Sequence, residues 1–260
     1  MGSIAFLVKL PMYFVHLWLP RAHVEAPVAG SIILAGVLLK LGGYGLIRLL
    51  LVVNKYILKL RRYLIGLRLG GILFVGLICC RINDMKALVA YSSVAHMGIV
   101  IGGVMSFYLW GFSGSLIIII GHGLSSSGLF CLVNIYYERL ESRRFYFNKG
   151  LILIFPLFCI MIFFLSAANI AAPPTVNLIS EIFLMGRIMG YRMFILIIFP
   201  LGSFLGAVFT IYIFSFSQHG KIYNSVYGLM IRNLRELGVL LFHVAPVNLL
   251  FLNRALFLAV

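Results

Sequence analysis

Apolar residues along this chain fall into runs at roughly 3–19, 28–51, 63–81, 85–108, 112–137, 149–190, 192–216 and 235–252. A helix needs about 20 apolar residues to cross a bilayer, and the chain supplies that length repeatedly. The 149–190 run is too long for one crossing and carries Ala171-Ala172-Pro173-Pro174. It predicts two half-helices, about 149–167 and 174–190, joined by unwound chain. The first run is likewise interrupted at Lys9-Leu10-Pro11 and stopped at Leu19-Pro20. Proline has no backbone N–H to give and clashes with the preceding turn. In lipid such a break survives only where protein or a water-filled cavity satisfies the freed groups. The pattern predicts an all-α integral membrane protein. It forms a single transmembrane bundle, 1–260, of about eight helices with two of them discontinuous.

Composition sharpens that picture. Hydrophobic residues make up 63% of the 260 and charged residues only 10%, with a mean hydropathy of +1.11. Soluble domains carry about 25% charged residues, so no soluble domain fits between the spans. Small residues stand four apart at Gly66/Gly70, Gly98/Gly102/Ser106, Gly111/Ser115, Gly121/Ser125, Gly186/Gly190 and Gly202/Gly206. Such pairs let neighbouring helices approach closely and predict a compact bundle.

The net charge of +15 would suggest nucleic acid in a soluble protein. Here the cations fall between apolar runs, as in Lys55-Lys59-Arg61-Arg62 and Arg139-Arg143-Arg144-Lys149. No basic face with interleaved aromatics exists outside the spans, which excludes nucleic acid as partner. Basic loops beside spans follow from topology and anionic lipid, such as cardiolipin. The connections at 20–27, 81–86, 138–149 and 217–235 share one side and carry slightly more Lys and Arg, which predicts the matrix or cytoplasmic side.

The cysteines Cys79, Cys80, Cys131 and Cys159 lie inside apolar runs, and none forms a C-x-x-C pair. They predict small apolar fillers rather than a zinc or iron–sulfur site. The N-terminus lacks the basic start and small-residue cleavage site of a signal peptide, and Phe6 breaks the myristoylation pattern. The chain begins inside a hydrophobic span.

The few polar residues at depth carry the chemistry. Lys40 stands near the middle of 28–51; His96 and His122 stand mid-span in the fourth and fifth runs. Lys9 lies two residues before Pro11, and Glu181 follows Pro174 by seven, so both sit at helix breaks. A charge at the bilayer centre costs about 2.5–3.5 kcal/mol on the lenient insertion scale, so such residues face the bundle interior and mark ion pathways. Burial in low dielectric favours the neutral form of an ionisable group, which brings proton exchange towards neutral pH. A file of Lys, His, His and Glu predicts a proton relay. The competing structural reading makes Lys40 a snorkelling cation, the histidines interhelical hydrogen bonders and Glu181 a half-helix cap. Asp84 and Lys86 read as a helix start.

Soluble-enzyme motifs fail on inspection. Gly123-Leu124-Ser125-Ser126-Ser127-Gly128 lacks the strand-to-helix elbow of G-x-S-x-G. His23-Val24-Glu25 is not H-E-x-x-H and reads as part of a Pro-bounded turn. There is no Gly-rich phosphate loop.

The run from His16 through Trp18-Leu19-Pro20-Arg21-Ala22-His23-Val24-Glu25-Ala26-Pro27 to Ser31, followed by Leu34–Gly45, has a family likeness. It continues through Tyr91–Gly98, His122–Phe130 and Pro173–Glu181, and weakens after about Tyr212. On these motifs the chain resembles the subunit-4 family of mitochondrial NADH–ubiquinone oxidoreductase (respiratory complex I), the antiporter-like subunits of its membrane arm. The resemblance implies proton translocation in the mitochondrial inner membrane, coupled to quinone reduction elsewhere in the complex. It implies Lys9, Lys40, His96, His122 and Glu181 as relay residues and the other membrane-arm subunits as partners. It also implies that this chain binds no cofactor, with NADH, flavin, iron–sulfur clusters and ubiquinone held by partner subunits. Family members have further N-terminal spans, one bearing a glutamate that pairs with the lysine matching Lys9, so the chain matches a C-terminal portion of the pattern. A truncated scaffold without pumping, or a cation/proton antiporter subunit, are the alternatives.

Overall fold

The computed structural model describes residues 2–52, 54–190, 195–221 and 234–252. Among them the secondary structure is helical apart from an isolated bridge between Asp84 and Arg144. Helix α1 (Gly2–Lys9) ends at the first break and α2 (Trp18–Glu25) follows it. The next span begins as α3 (Val28–Ile33), passes through a π-helical turn at Leu34–Leu38 and continues as α4 (Leu39–Val52). Then come α5 (Asn54–Cys79), α6 (Met85–Val104), α7 (Leu109–Leu140), the single turn α8 (Leu151–Ile154) and α9 (Pro156–Asn169). After the second break run α10 (Val176–Met189), α11 (Ile195–Gln218) and α12 (Leu234–Leu252).

Among the described residues, five of the expected runs form segments long and apolar enough to cross a membrane: Val28–Leu50, α6, α7, Ile197–Gln218 and α12. Shorter apolar helices cover Tyr63–Cys79 and Pro156–Asn169. The hub is α7, which packs against α6, α10, α12, α9 and the α3–π–α4 span. Polar serines along α6 and α7 bend back to their own helices, as Ser92 and Ser93 donating to Val89 O and Ala90 O. This satisfies hydroxyls that lipid could not.

Three readings of the sequence change here. Pro20 does not stop the first run, because α2 starts at Trp18 and places Pro20 in its first turn, where the missing N–H is not needed. His23 and Glu25 accordingly lie on α2 rather than in a turn. The small-residue pairs are used unevenly: a Cβ at Gly98 would meet Ile72 at 3.2 Å and one at Gly102 would meet Ile188 at 3.1 Å, but Gly66, Gly70, Gly186 and Gly206 face nothing within 4 Å. Arg68 lies buried within α5 and donates to Leu10 O at 3.5 Å across the first break. The side chains of Lys55, Lys59, Arg61 and Arg62 lie outside the described residues, as does most of the 217–235 connection.

Candidate functional site

The π turn ends two residues before Lys40, the second residue of α4. A π turn inserts an extra residue into the helical register and re-aims the side chains that follow it. Gly123 of α7 lies opposite: a Cβ there would stand 3.3 Å from Lys40 Cε and 3.5 Å from Gly36 O. That close approach lays the Lys40 stem along α7. Its Nζ reaches His122 Nδ1 at 3.1 Å, both groups buried. The His96 ring from α6 lies beside that of His122, with centroids 4.8 Å apart and planes tilted by 39°. Lys40 is 8% exposed, His96 7% and His122 0%, so all three face the bundle interior. The Lys40 stem also lines an open, largely apolar groove of ≈ 420 Å³ with Val37, Ile120 and Leu124.

Glu181 stands in the second turn of α10. It lines a cavity of ≈ 20 Å³ together with His96, Asn169, Ser203 and the glycines Gly202 and Gly206. Thus His122 connects to Lys40 on one side, and His96 faces the Glu181 cavity on the other.

The second break places Glu181 there, and its backbone is well accounted for. Ala172 N donates to Ala167 O at 2.9 Å and Ala171 N to Ala168 O at 3.2 Å. With Ala171 at φ 63, this is a Schellman termination of α9. Asn177 Nδ2 reaches back from α10 to Ala168 O at 2.7 Å, and Thr175 Oγ1 donates to Ala172 O at 2.6 Å. The expected unwound chain is therefore present at residues 170–175, between two helices.

Lys9 is not brought to this file. It is the last residue of α1, exposed, with its Cβ against Gly42 of α4, and among the described residues it makes no hydrogen bond or ion pair. Lys86 is buried at the start of α6 and donates to Ala26 O at 2.8 Å, while Arg143 donates to Val24 O at 2.8 Å. Two cations thus hold the negative end of the α2 dipole, a structural role. His23, fully buried, stacks on Phe130 with centroids 4.3 Å apart. Sequence reasoning missed Asn169, Asn177 and Arg68. An amide beside a Pro-Pro break, or a lone Arg in an apolar run, is the signal that could have found them. No group of three or more potential metal ligands occurs among the described residues.

The class defined by these features is a broken-helix membrane bundle with ionisable side chains linked at its centre. Residues 3–210 match the family model described as NADH:quinone oxidoreductase/Mrp antiporter, TM, and the chain belongs to that family. The NADH-ubiquinone oxidoreductase chain 4 of Ceratitis capitata is 51% identical over 250 residues, covering 96% of this chain and 56% of that protein. Chain 4 of Carassius auratus is 47% identical over 247 residues, covering 95% of this chain and 54% of its own. The chain thus spans about half the length of the curated relatives it matches. In fold it is similar to a chain of respiratory complex I from Thermus thermophilus with bound NADH, at TM-score 0.91 and 22% identity, covering 98% of this chain and 54% of that one. A chain of the Mrp complex from Dietzia sp. DQ12-45-1b gives 0.89 and 17% identity, covering 98% of this chain and 56% of that one.

Proposed function

We propose that this chain is a proton-translocating membrane subunit of mitochondrial NADH–ubiquinone oxidoreductase, working in the inner membrane. The observation that carries the reading is the buried Lys40–His122 hydrogen bond with His96 beside it. In this reading the lysine ammonium donates its proton to His122 Nδ1, the imidazolium passes charge to His96, and His96 delivers it towards Glu181. Two positive charges 3.1 Å apart would repel by about 5 kcal/mol even at an effective dielectric of 20. The trio therefore holds one excess charge at a time, and a second arriving proton drives the first onward. Lys9 enters the relay at the first break, facing outward to whatever covers α1 and α4. The chain acts as one transmembrane bundle. NADH, flavin, iron–sulfur and ubiquinone chemistry belongs to partner subunits of the membrane and peripheral arms. Arg144 and Lys149 meet anionic lipid such as cardiolipin.

The test is Lys40→Met in membranes holding the assembled complex. Methionine keeps the packing volume and removes the titratable amine, so proton uptake per electron should fall while complex abundance holds. Wild-type pumping at wild-type abundance would remove Lys40 from the relay. Loss of assembled complex before loss of pumping would favour the scaffold reading. The fold likeness to the Mrp chain supports one rival, a cation/proton antiporter subunit. Proton movement driven by a sodium gradient rather than by NADH oxidation would decide for it.

A further inference from the structure

The chain has six acidic residues, and they are unevenly placed. Glu25, Asp84, Glu138 and Glu141 fall within the connections 20–27, 81–86 and 138–149. Glu236, at the start of α12, pairs with Arg139 at the end of α7, and Glu181 lines the cavity beside His96. The opposite face, where α6 turns into α7 and α10 ends, has no carboxylate: none stands at 105–108 or anywhere from 182 to 235. Yet Arg187 lies there, in the last turn of α10. Its Cζ is 4.9 Å from the ring centroid of Tyr108 and 4.9 Å from that of Trp110. Trp110 packs in turn on Phe183, one helical turn back on α10, with centroids 5.8 Å apart. Such rings cover the faces of a guanidinium, whereas its N–H donors lie in the plane, so stacking holds the group in place and leaves the donors unspent. Among the described residues none of them finds an acceptor: Nε is buried without a partner, and neither Nη makes a hydrogen bond or ion pair. An oriented cation with unspent donors and no counter-charge calls for an anion from outside the chain.

The position of the site says which anion. Tyr108, Leu109 and Trp110 mark the boundary between two membrane-crossing segments, α6 and α7, and each is more than half exposed. Tyr and Trp collect at the membrane–water interface, at the level of the lipid headgroups. Gly186, next to Arg187, faces open space, since a Cβ there would meet nothing within 4 Å. Helix α7 begins at the same place, with Tyr108 as its N-cap residue and no side chain capping it, so the positive end of its dipole adds to the charge of Arg187. Arg187 rather than the helix start carries the site, because only the guanidinium offers a fixed planar fork for two oxygens. We propose that Arg187, held by Tyr108 and Trp110, binds the phosphodiester of an anionic phospholipid in the leaflet at the α6–α7 turn. The fork donates two N–H bonds to the two non-ester oxygens, and the space over Gly186 receives the glycerol and the first part of an acyl chain. This leaflet is the one opposite Arg144 and Lys149, and the site stands independently of the proton-relay reading.

The test uses the assembled protein in phosphatidylcholine vesicles containing a photoactivatable phosphatidylglycerol, followed by mapping of the labelled peptides. Label should fall on the segment around Tyr108–Trp110 and on the end of α10. Arg187→Gln should reduce it about fivefold, the share of one basic residue in holding an anionic lipid. Arg187→Lys keeps the charge without the planar fork and should fall between the two. Equal labelling of wild type and Arg187→Gln overturns the proposal. Equal labelling by a photoactivatable phosphatidylcholine would show ordinary boundary lipid, and displacement by inorganic phosphate would show a site for free anions; either result overturns it as well. So does a high-resolution structure with a neighbouring chain's carboxylate on Arg187. Should Arg187→Gln fail to assemble, the comparison of the two lipids and the phosphate competition decide on the wild type alone. Lys40→Met lies outside the site and should label as the wild type does, so the relay reading and this site fail separately.

Discussion

Lys40 shows how one contact decides what a buried cation can do. An isolated ammonium at this depth would be expelled or neutralised, so its bond to His122 at 3.1 Å gives the buried amine a polar partner. The bond depends on Gly123, since any Cβ there comes within 3.3 Å of Lys40 Cε. The end of a lysine stem can swing away where a backbone atom could not. Gly123→Ala should therefore fold and assemble normally, lengthen the Lys40–His122 contact and lower proton translocation several-fold, less than Lys40→Met. Wild-type translocation by Gly123→Ala would show that the contact has slack. The lysine and both histidines were legible in the sequence because each stands mid-run among apolar residues, where a polar side chain has few harmless explanations. Asn169 was not, because an asparagine next to a helix break reads equally well as ordinary turn chemistry. Lys9 was legible as a break residue, yet its exposure depends on which helices lie against α1, and no local pattern states that.

At the scale of the element, both breaks are held by an alanine or aromatic in a conformation that glycine would adopt freely. Phe14 has φ 83 and Ala171 has φ 63, and the left-handed region costs an L-residue roughly 1–2 kcal/mol. At Ala171 that cost is offset by the paired 6→1 and 5→2 bonds and by the Asn177 amide on Ala168 O. Ala171→Gly should thus stabilise the protein by up to about 1 kcal/mol, read as a higher midpoint for thermal unfolding in detergent. Ala171→Val, β-branched and in a 4% exposed site, should lower it by about 2 kcal/mol and deplete assembled protein. Equal midpoints for alanine, glycine and valine would mean the turn is not held in this conformation. The breaks themselves were readable because proline is a local chemical fact. The start of α2 at Trp18 was not, since Pro20 is a stop in a helix interior and tolerated in its first turn, and which applies depends on where the helix begins. The π turn at Leu34–Leu38 has no compositional marker; it lies where this span packs against α7.

Among the described residues the buried apolar side chains form two clusters, and the polar file lies where one gives way to the other. Along α6 the change falls between Ala95 and Met97, on His96; along α7 it falls between Ile119 and Leu129, bracketing His122. On the third span Leu39 belongs to the first cluster and Leu46 to the second, with Lys40 between them. Asn169 and Glu181 lie between Leu165 of the first and Leu184 of the second, and Ser203 between Phe199 and Phe209. The polar residues thus form a layer sandwiched between two apolar clusters. This implies that the two clusters contribute separately to stability. Leu88 and Ile101 are fully buried on the same helix but belong to different clusters, about 20 Å apart at 1.5 Å rise per residue. In lipid the loss on truncation is chiefly packing, because the acyl chains are as apolar as leucine. The cavity cost of roughly 24 cal/mol per Å³ then gives about 2 kcal/mol for Leu88→Ala and similarly for Ile101→Ala. With the polar layer between them, the double substitution should cost the sum of the singles to within about 0.5 kcal/mol. Equilibrium unfolding of the single and double variants in bicelles measures this directly. A coupling above about 1 kcal/mol would mean that the bundle has one continuous core and that the polar layer does not divide it.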